Sequence, residues 1–177
     1  LKNNNYRVLT TMEPSDGKCG KEIRDILAKE EDPQVNGEKL VGMFIKDRED
    51  HLKNTIIPFL NKSNGHEANI VICDRYYYST IAFQATQGLD GEMLIEINKD
   101  FLKPDIAFIM DINPETALER IKGREKEKFE KLEFMNKLRE KFLELPRLLK
   151  DNIKIIDASK GINEVFEDIK KEVDKLL

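Results

Sequence analysis

The sequence predicts an α/β domain built around a parallel sheet, and three observations carry that expectation. Four short apolar runs, 7–12 (RVLTTM), 69–74 (NIVICD), 105–112 (DIAFIMDI) and 153–158 (IKIIDA), are rich in β-branched and aromatic residues. They are continuous rather than alternating, as strands covered on both faces are. The segments between them place apolar residues at helical spacing, and strand and helix alternate along the chain. Such alternation leads to parallel strands joined by right-handed crossovers.

The elements come in a definite order. A helix over 20–30 carries Ile23, Ile26 and Leu27 on one face. The stretch 37–60 sets Leu40, Val41, Phe44, Ile45 and Leu52 at helical intervals. Helices over 79–87 and 92–101 come after the second strand. After the third strand, Asn113-Pro114-Glu115 is a helix start, with Asn as cap, Pro at the first position and Glu in the first turn. A long polar helix striped with Phe134, Met135, Leu138, Phe142 and Leu145 runs towards Leu149, and 163–177 forms the last helix. There are no internal repeats and no dividing linker, so residues 1–177 read as a single domain. The charged run 122–131 is either a solvated helix face or a functional segment.

Composition narrows the function classes. Of 177 residues, 40% are hydrophobic and 36% charged, which fits a soluble globular chain. The formal charge is −4, with lysines and glutamates interspersed, so no nucleic-acid partner is expected. A small cationic pocket remains compatible with that balance. Cys19 and Cys73 make neither a disulfide framework nor a metal-ligand spacing, which fits a reducing, cytoplasmic compartment. Cys73, inside an apolar run, reads as a small core residue. No run of about 18 apolar residues and no signal peptide is found, so no membrane partner is expected.

In open α/β sheets, ligands bind outside the carboxyl ends of the strands. The first strand ends in Met12-Glu13-Pro14-Ser15-Asp16-Gly17 and the second in Asp74-Arg75; the third ends at Asp111 and the fourth in Asp157-Ala158-Ser159-Lys160-Gly161. An Asp closing a strand also serves as a cap or turn former. Asp74-Arg75 is sharper: the guanidinium offers a planar fork for phosphate oxygens, and the carboxylate can hold a hydrated Mg2+. A structural ion pair is the other reading. Phe44 and Arg48, at i and i+4, can present a ring and a hydrogen-bond fork to one ligand, or serve as a core residue and a salt bridge. Ser79, Thr80, Phe83 and Gln84 offer hydroxyls, an apolar wall and an amide, a set that suits a nucleobase.

Several of these stretches match one family. Asp74-Arg75-Tyr76-Tyr77-Tyr78-Ser79-Thr80-Ile81-Ala82-Phe83-Gln84 resembles the DRYxxSxxAYQ signature of thymidylate kinases. Residues 40–48 resemble that family's LLFxADR helix, with Phe44, Asp47 and Arg48 in register. Glu13-Pro14 resembles its REP turn, Gly20-Lys21-Glu22-Ile23-Arg24 its GxxIR helix, and 114–124 the helix leading into its mobile lid. Phe129-Glu130 and Ile156-Asp157-Ala158 also match, so the resemblance covers essentially the whole chain in order.

The resemblance implies a P-loop NTPase-type, three-layer α/β/α fold and transfer of the ATP γ-phosphoryl group to dTMP, giving dTDP, with Mg2+ between the phosphates. It implies that Phe44 stacks on thymine, that Arg48 bonds its carbonyl, and that Thr80 and Gln84 read the base edge. Phe83 walls the sugar, and Glu13 lines the sugar side. Arg24 and Arg75 hold the dTMP phosphate, and Asp74 places the metal through water. Arg124, with Arg120, closes over the ATP phosphates from a lid at about 122–131, and Ser159, Lys160 and Gly161 border adenine. A homodimer through the helices that carry Phe44 and follow Tyr78 is also implied. Two departures stand out: Met12 replaces the Arg of REP, and the lid carries Lys126 and Lys128 beside Arg124.

No G-x4-G-K-[ST] phosphate loop occurs in the chain; Asp16-Gly17-Lys18-Cys19-Gly20 lacks both its glycine spacing and its hydroxyl. In the family's sheet the strand before that loop is central, between the second and third strands. Its removal leaves those two facing a gap. Residues 1–6 read as the end of the helix after the loop. The expectation is that about 20–30 residues precede Leu1 and that this chain alone is inactive. Other readings are an inactive nucleotide-binding module of the same fold, or a related nucleoside-monophosphate kinase with another base preference.

Overall fold

The computed structural model describes residues 6–29, 37–62, 68–120 and 132–177. Strand β1 (Arg7–Met12) leads into helix α1 (Lys18–Lys29), and α2 (Gly37–His51) continues through a π-helical turn (Leu52–Ile56) into α3 (Ile57–Leu60). Strand β2 (Asn69–Asp74) is followed by α4 (Tyr77–Thr86) and α5 (Gly91–Glu96). Strand β3 (Ala107–Asp111), α6 (Pro114–Arg120), α7 (Leu132–Leu148), β4 (Ile153–Asp157) and α8 (Ile162–Val173) complete the chain. All four expected strands are present, the third shorter than 105–112. The helix expected over 92–101 ends at Glu96, five residues early.

The strands pair in parallel as expected, but in two couples. β1 pairs with β2 from Arg7↔Asn69 to Met12↔Asp74, and β3 pairs with β4 from Ala107↔Ile153 to Asp111↔Asp157. Among the described residues β2 and β3 share no ladder, which is the gap expected between these two strands. Continuous apolar runs predict cover on both faces; instead Met12, Ile72, Met110 and Ile155 are each about half exposed. Helix α8 buries none of its residues among those described, and Phe166 is 60% exposed.

The main core joins α2, α4, α5, α7 and β3 through Val41, Tyr77, Tyr78, Ile81, Ala82, Leu94, Ile109 and Leu145. A smaller cluster of Cys19, Ile23 and Leu40 joins α1 to α2, with Phe44 packed against it. α1 starts close to the turn after β1, and only glycine allows it: a Cβ on Gly20 would sit 2.0 Å from the Ser15 carbonyl oxygen. Asn113 caps α6 as its sequence predicts, accepting from the Glu115 amide at 2.8 Å. Asp90 caps α5 in the same way, through the Met93 amide.

Candidate active site

The carboxyl ends of β1 and β2 lie side by side, and the site is built from the turns and helices beyond them. Asp47, on α2 and 1% exposed, accepts the Ser15 amide at 2.7 Å and its hydroxyl at 2.6 Å. This holds the turn after Glu13-Pro14 against α2. Arg24 on α1 clamps the turn from the other side, donating to the Pro14 carbonyl at 2.6 Å and to Asp16 at 3.2 Å.

Held in this way, Glu13 meets Arg48 inside the protein. Arg48 is 1% exposed and donates from Nε to Glu13 Oε2 at 2.9 Å. Its Nη1 donates to Asn98 Oδ1 at 2.6 Å and its Nη2 to Thr80 Oγ1 at 3.0 Å. The rings of Tyr76 and Phe101 flank the guanidinium at 5.1 and 5.3 Å. A buried ion pair needs its remaining donors and acceptors satisfied, and His51 does this for Glu13, its Nδ1 lying 3.3 Å from Oε1. A carboxylate only accepts, so Nδ1 is the nitrogen that donates to Glu13, while Nε2 lies 2.7 Å from the Thr11 hydroxyl.

One turn beyond Thr80, Gln84 is 2% exposed, and its amide nitrogen donates to Gln87 at 3.1 Å. Its Oε1 is buried without a hydrogen-bond partner among the described residues. Phe83, on the next face, lies 6.2 Å from Phe134 and 6.3 Å from Phe142 of α7, with the Arg75 guanidinium 5.6 Å from its ring. Arg75 has φ of +64°, a left-handed backbone rare for a residue with a Cβ, and such outliers concentrate at functional sites. Asp74 beside it is exposed, and its carboxylate is unpaired among the described residues. Burial first, then the Glu13 and Asp74 carboxylates, push the Cys73 thiol up to about 12.

The sequence-derived residues therefore fall into groups. Glu13, Arg48 and Thr80 are bonded together, Gln84 lies one turn away on the helix of Thr80, and Asp74, Arg75 and Phe83 share the end of β2. Phe44 sits half-buried one turn before Arg48. Beyond the carboxyl end of β4, Arg120 donates to the carbonyls of Ala158 at 2.6 Å and Ser159 at 2.7 Å. Its guanidinium thus ties α6 to the loop of Ser159, Lys160 and Gly161 rather than standing free, and Lys160 is paired with Asp168 at 2.7 Å. Asp111, a strand-end candidate, accepts from Arg139 Nε at 2.6 Å and Nη2 at 3.0 Å. Arg124, Lys126, Lys128 and the 122–131 segment lie outside the described residues.

Four partners escaped the sequence reading: Ser15, His51, Asn98 and Phe101. His51 comes three positions after Arg48 on the same helix face, a spacing that could have exposed it. Nothing local marks Asn98, fifty residues away in sequence.

The family model for thymidylate kinase matches residues 1–169. The chain belongs to the thymidylate kinase family. A probable thymidylate kinase of Archaeoglobus fulgidus is 36% identical over 179 residues, covering all of this chain and 85% of that protein. One from Methanocaldococcus jannaschii is 39% identical, covering 90% of this chain and 78% of its own length. A thymidylate kinase of Acholeplasma laidlawii is 31% identical, covering 97% and 86%. The family consists of ATP-dependent phosphotransferases of the P-loop NTPase α/β fold that use Mg2+. No helix among the described residues is long and apolar enough to cross a membrane.

Proposed function

We propose that the protein to which this chain belongs transfers the ATP γ-phosphoryl group to the phosphate of dTMP, giving dTDP, and that the cluster around Arg48 is its base-reading element. The observation that carries the base assignment is Gln84 Oε1, buried without a partner among the described residues. A buried acceptor left unmade costs about 1–3 kcal/mol, and the imide N–H of thymine is a donor that would satisfy it. Arg48 supports the same reading: three of its N–H bonds are spent on Glu13, Asn98 and Thr80, leaving donors for a base carbonyl. Phe44 offers a ring for the base face, Phe83 a wall for the sugar, and Arg24 and Arg75 charge for the acceptor phosphate.

The chemistry asks for positioning and cancelled charge rather than a covalent intermediate. Mg2+, when bound, neutralises charge between the phosphates. The exposed carboxylate of Asp74, unpaired among the described residues, suits an ion that keeps most of its waters, so one protein ligand is enough. Arg120 braces the 158–160 backbone beside the adenine site, and Arg124 closes over the donor phosphates from the 122–131 lid of a single domain spanning 1–177. Lid closure would exclude competing water. The protein works in the cytoplasm as a homodimer through the helices that carry Phe44 and follow Tyr78. A phosphoryl-transfer assay on the chain completed with a phosphate loop, with ATP and dTMP, dUMP, dCMP or dGMP, tests the reading. The pyrimidines with a carbonyl at the read edge should be preferred, and equal rates with dCMP would overturn it.

A further inference from the structure

The guanidinium of Arg48 is held from several directions, but its holders are not equivalent. Glu13 takes Nε–H, on the stem side of the group. Thr80 accepts at Nη2 through a hydroxyl that can rotate. The Tyr76 and Phe101 rings confine the plane without choosing a direction within it. Asn98 differs from all of these. Its Oδ1 accepts from Nη1 at 2.6 Å, while its own Nδ2 donates to the Leu94 carbonyl at 2.8 Å. Leu94 is 0% exposed in the main core, and Asn98 itself is 2% exposed. Donation to a core carbonyl fixes which end of the amide faces Arg48.

We propose that Asn98 is a positioning residue that locks the Arg48 fork in its base-reading direction and thereby sets rejection of pyrimidines carrying an amino group at the read edge. The inference rests on the assignment of Arg48 as base reader. The N–H groups left over on Arg48 can only donate. Fixed in place, they meet a base carbonyl well and leave an amino group facing donors. A guanidinium free to swing aside would lose the first contact and relieve the second.

The surroundings of Asn98 separate this role from a packing role. Asn98 also lines a cavity of about 200 Å3 with Tyr77, Ile81 and Asp151. Truncation to alanine would join that space, and water entering it could satisfy Nη1. The charge then stays solvated and the fold survives, but a water imposes no direction.

The test is calorimetric binding of dTMP and dCMP to the wild-type protein, Asn98→Ala, Arg48→Lys and the double variant. Asn98→Ala should narrow the dCMP-to-dTMP Kd ratio by about tenfold, the scale of one charge-assisted hydrogen bond, chiefly by weakening dTMP. In the Arg48→Lys background the same change should alter the ratio by less than about twofold, because the fork it positions is gone. Equal weakening of both nucleotides by Asn98→Ala, or an undiminished effect in the Arg48→Lys background, would overturn the proposal while leaving Arg48 as base reader. An unchanged ratio in Arg48→Lys alone would sink the base reading and this inference with it. If Asn98→Ala does not fold, the similarly sized Asn98→Leu, which lacks both the acceptor and the donor, decides: it should narrow the ratio about as far, and an unchanged ratio would overturn the proposal.

Discussion

Replacing Asp47 by alanine removes the acceptor that holds the turn after β1. The carboxylate takes two short bonds from Ser15, 2.7 Å from the amide and 2.6 Å from the hydroxyl, at a site where Asp47 is 1% and Ser15 6% exposed. A hydrogen bond to a charged group contributes about 1.5–3 kcal/mol, and a buried donor left unpaired costs about 1–3 kcal/mol. The hydroxyl can turn elsewhere, so the amide dominates, and the net loss for Asp47→Ala should be about 3–4 kcal/mol. Against a typical total of about 5–15 kcal/mol, that is a large fraction, and the melting temperature should fall by about 10 °C. Asp47→Asn keeps one acceptor while the hydroxyl reverses its role, so it should lose about half as much. Urea unfolding followed by circular dichroism, with unchanged slope, measures both. The local effect should exceed the global one, because the same turn carries Glu13 and the Pro14 carbonyl that Arg24 grips. Folded Asp47→Asn should therefore bind dTMP about tenfold more weakly. Stability of Asp47→Ala within about 0.5 kcal/mol of wild type would refute the claim that this pair holds the turn.

Neighbouring groups have consequences of their own. Burial raises the Asp151 carboxyl, but the Tyr77 hydroxyl, the Lys103 ammonium and the Tyr78 hydroxyl more than offset this, holding it below its ordinary value of 3.8. A depressed carboxyl contributes stability above its unfolded value and loses it as pH falls through the folded one. Stability should be insensitive to this group above about pH 5 and fall steeply below about pH 4, with Asp151→Asn flattening that acid limb; superimposed limbs would argue against it. Asp111→Ala should cost about 1 kcal/mol or less, since its partner Arg139 is 40% exposed, and should leave dTMP affinity unchanged in calorimetry. The Cys73 thiol, pushed up to about 12, should alkylate far more slowly at pH 8 than free cysteine, with the rate still rising at pH 10. A rate matching free cysteine at pH 8 would show the thiol to be open.

Strand positions, the capped helix at Asn113 and the parallel alternation were legible because they are local. Each depends on residues a few positions apart, where period and capping chemistry act. The exposed faces of β2 and β3 were not, because a continuous apolar run says a strand can be covered on both sides, not what covers it. Within the site, Glu13, Arg48 and Thr80 could be named from motifs, but their mutual bonding could not. The surprise is how firmly Arg48 is held: Asn98 accepts from it and the Phe101 ring flanks it, both from beyond α5, and this is a product of tertiary packing alone. The bonds of Arg120 to the carbonyls of Ala158 and Ser159 could not be read either, because they join residues nearly forty positions apart.

The most direct measurement is dTMP affinity in Arg48→Lys. Arg48→Ala is the weaker choice, because it strands Glu13 in the interior, and breaking a buried pair costs about 3–5 kcal/mol. Lysine keeps a positive charge for Glu13 but has no planar fork to span Asn98, Thr80 and a base carbonyl. A folded Arg48→Lys protein that binds dTMP about a hundredfold more weakly than wild type is the result predicted. Wild-type affinity in that variant would contradict the assignment of the Arg48 cluster as the base-reading element.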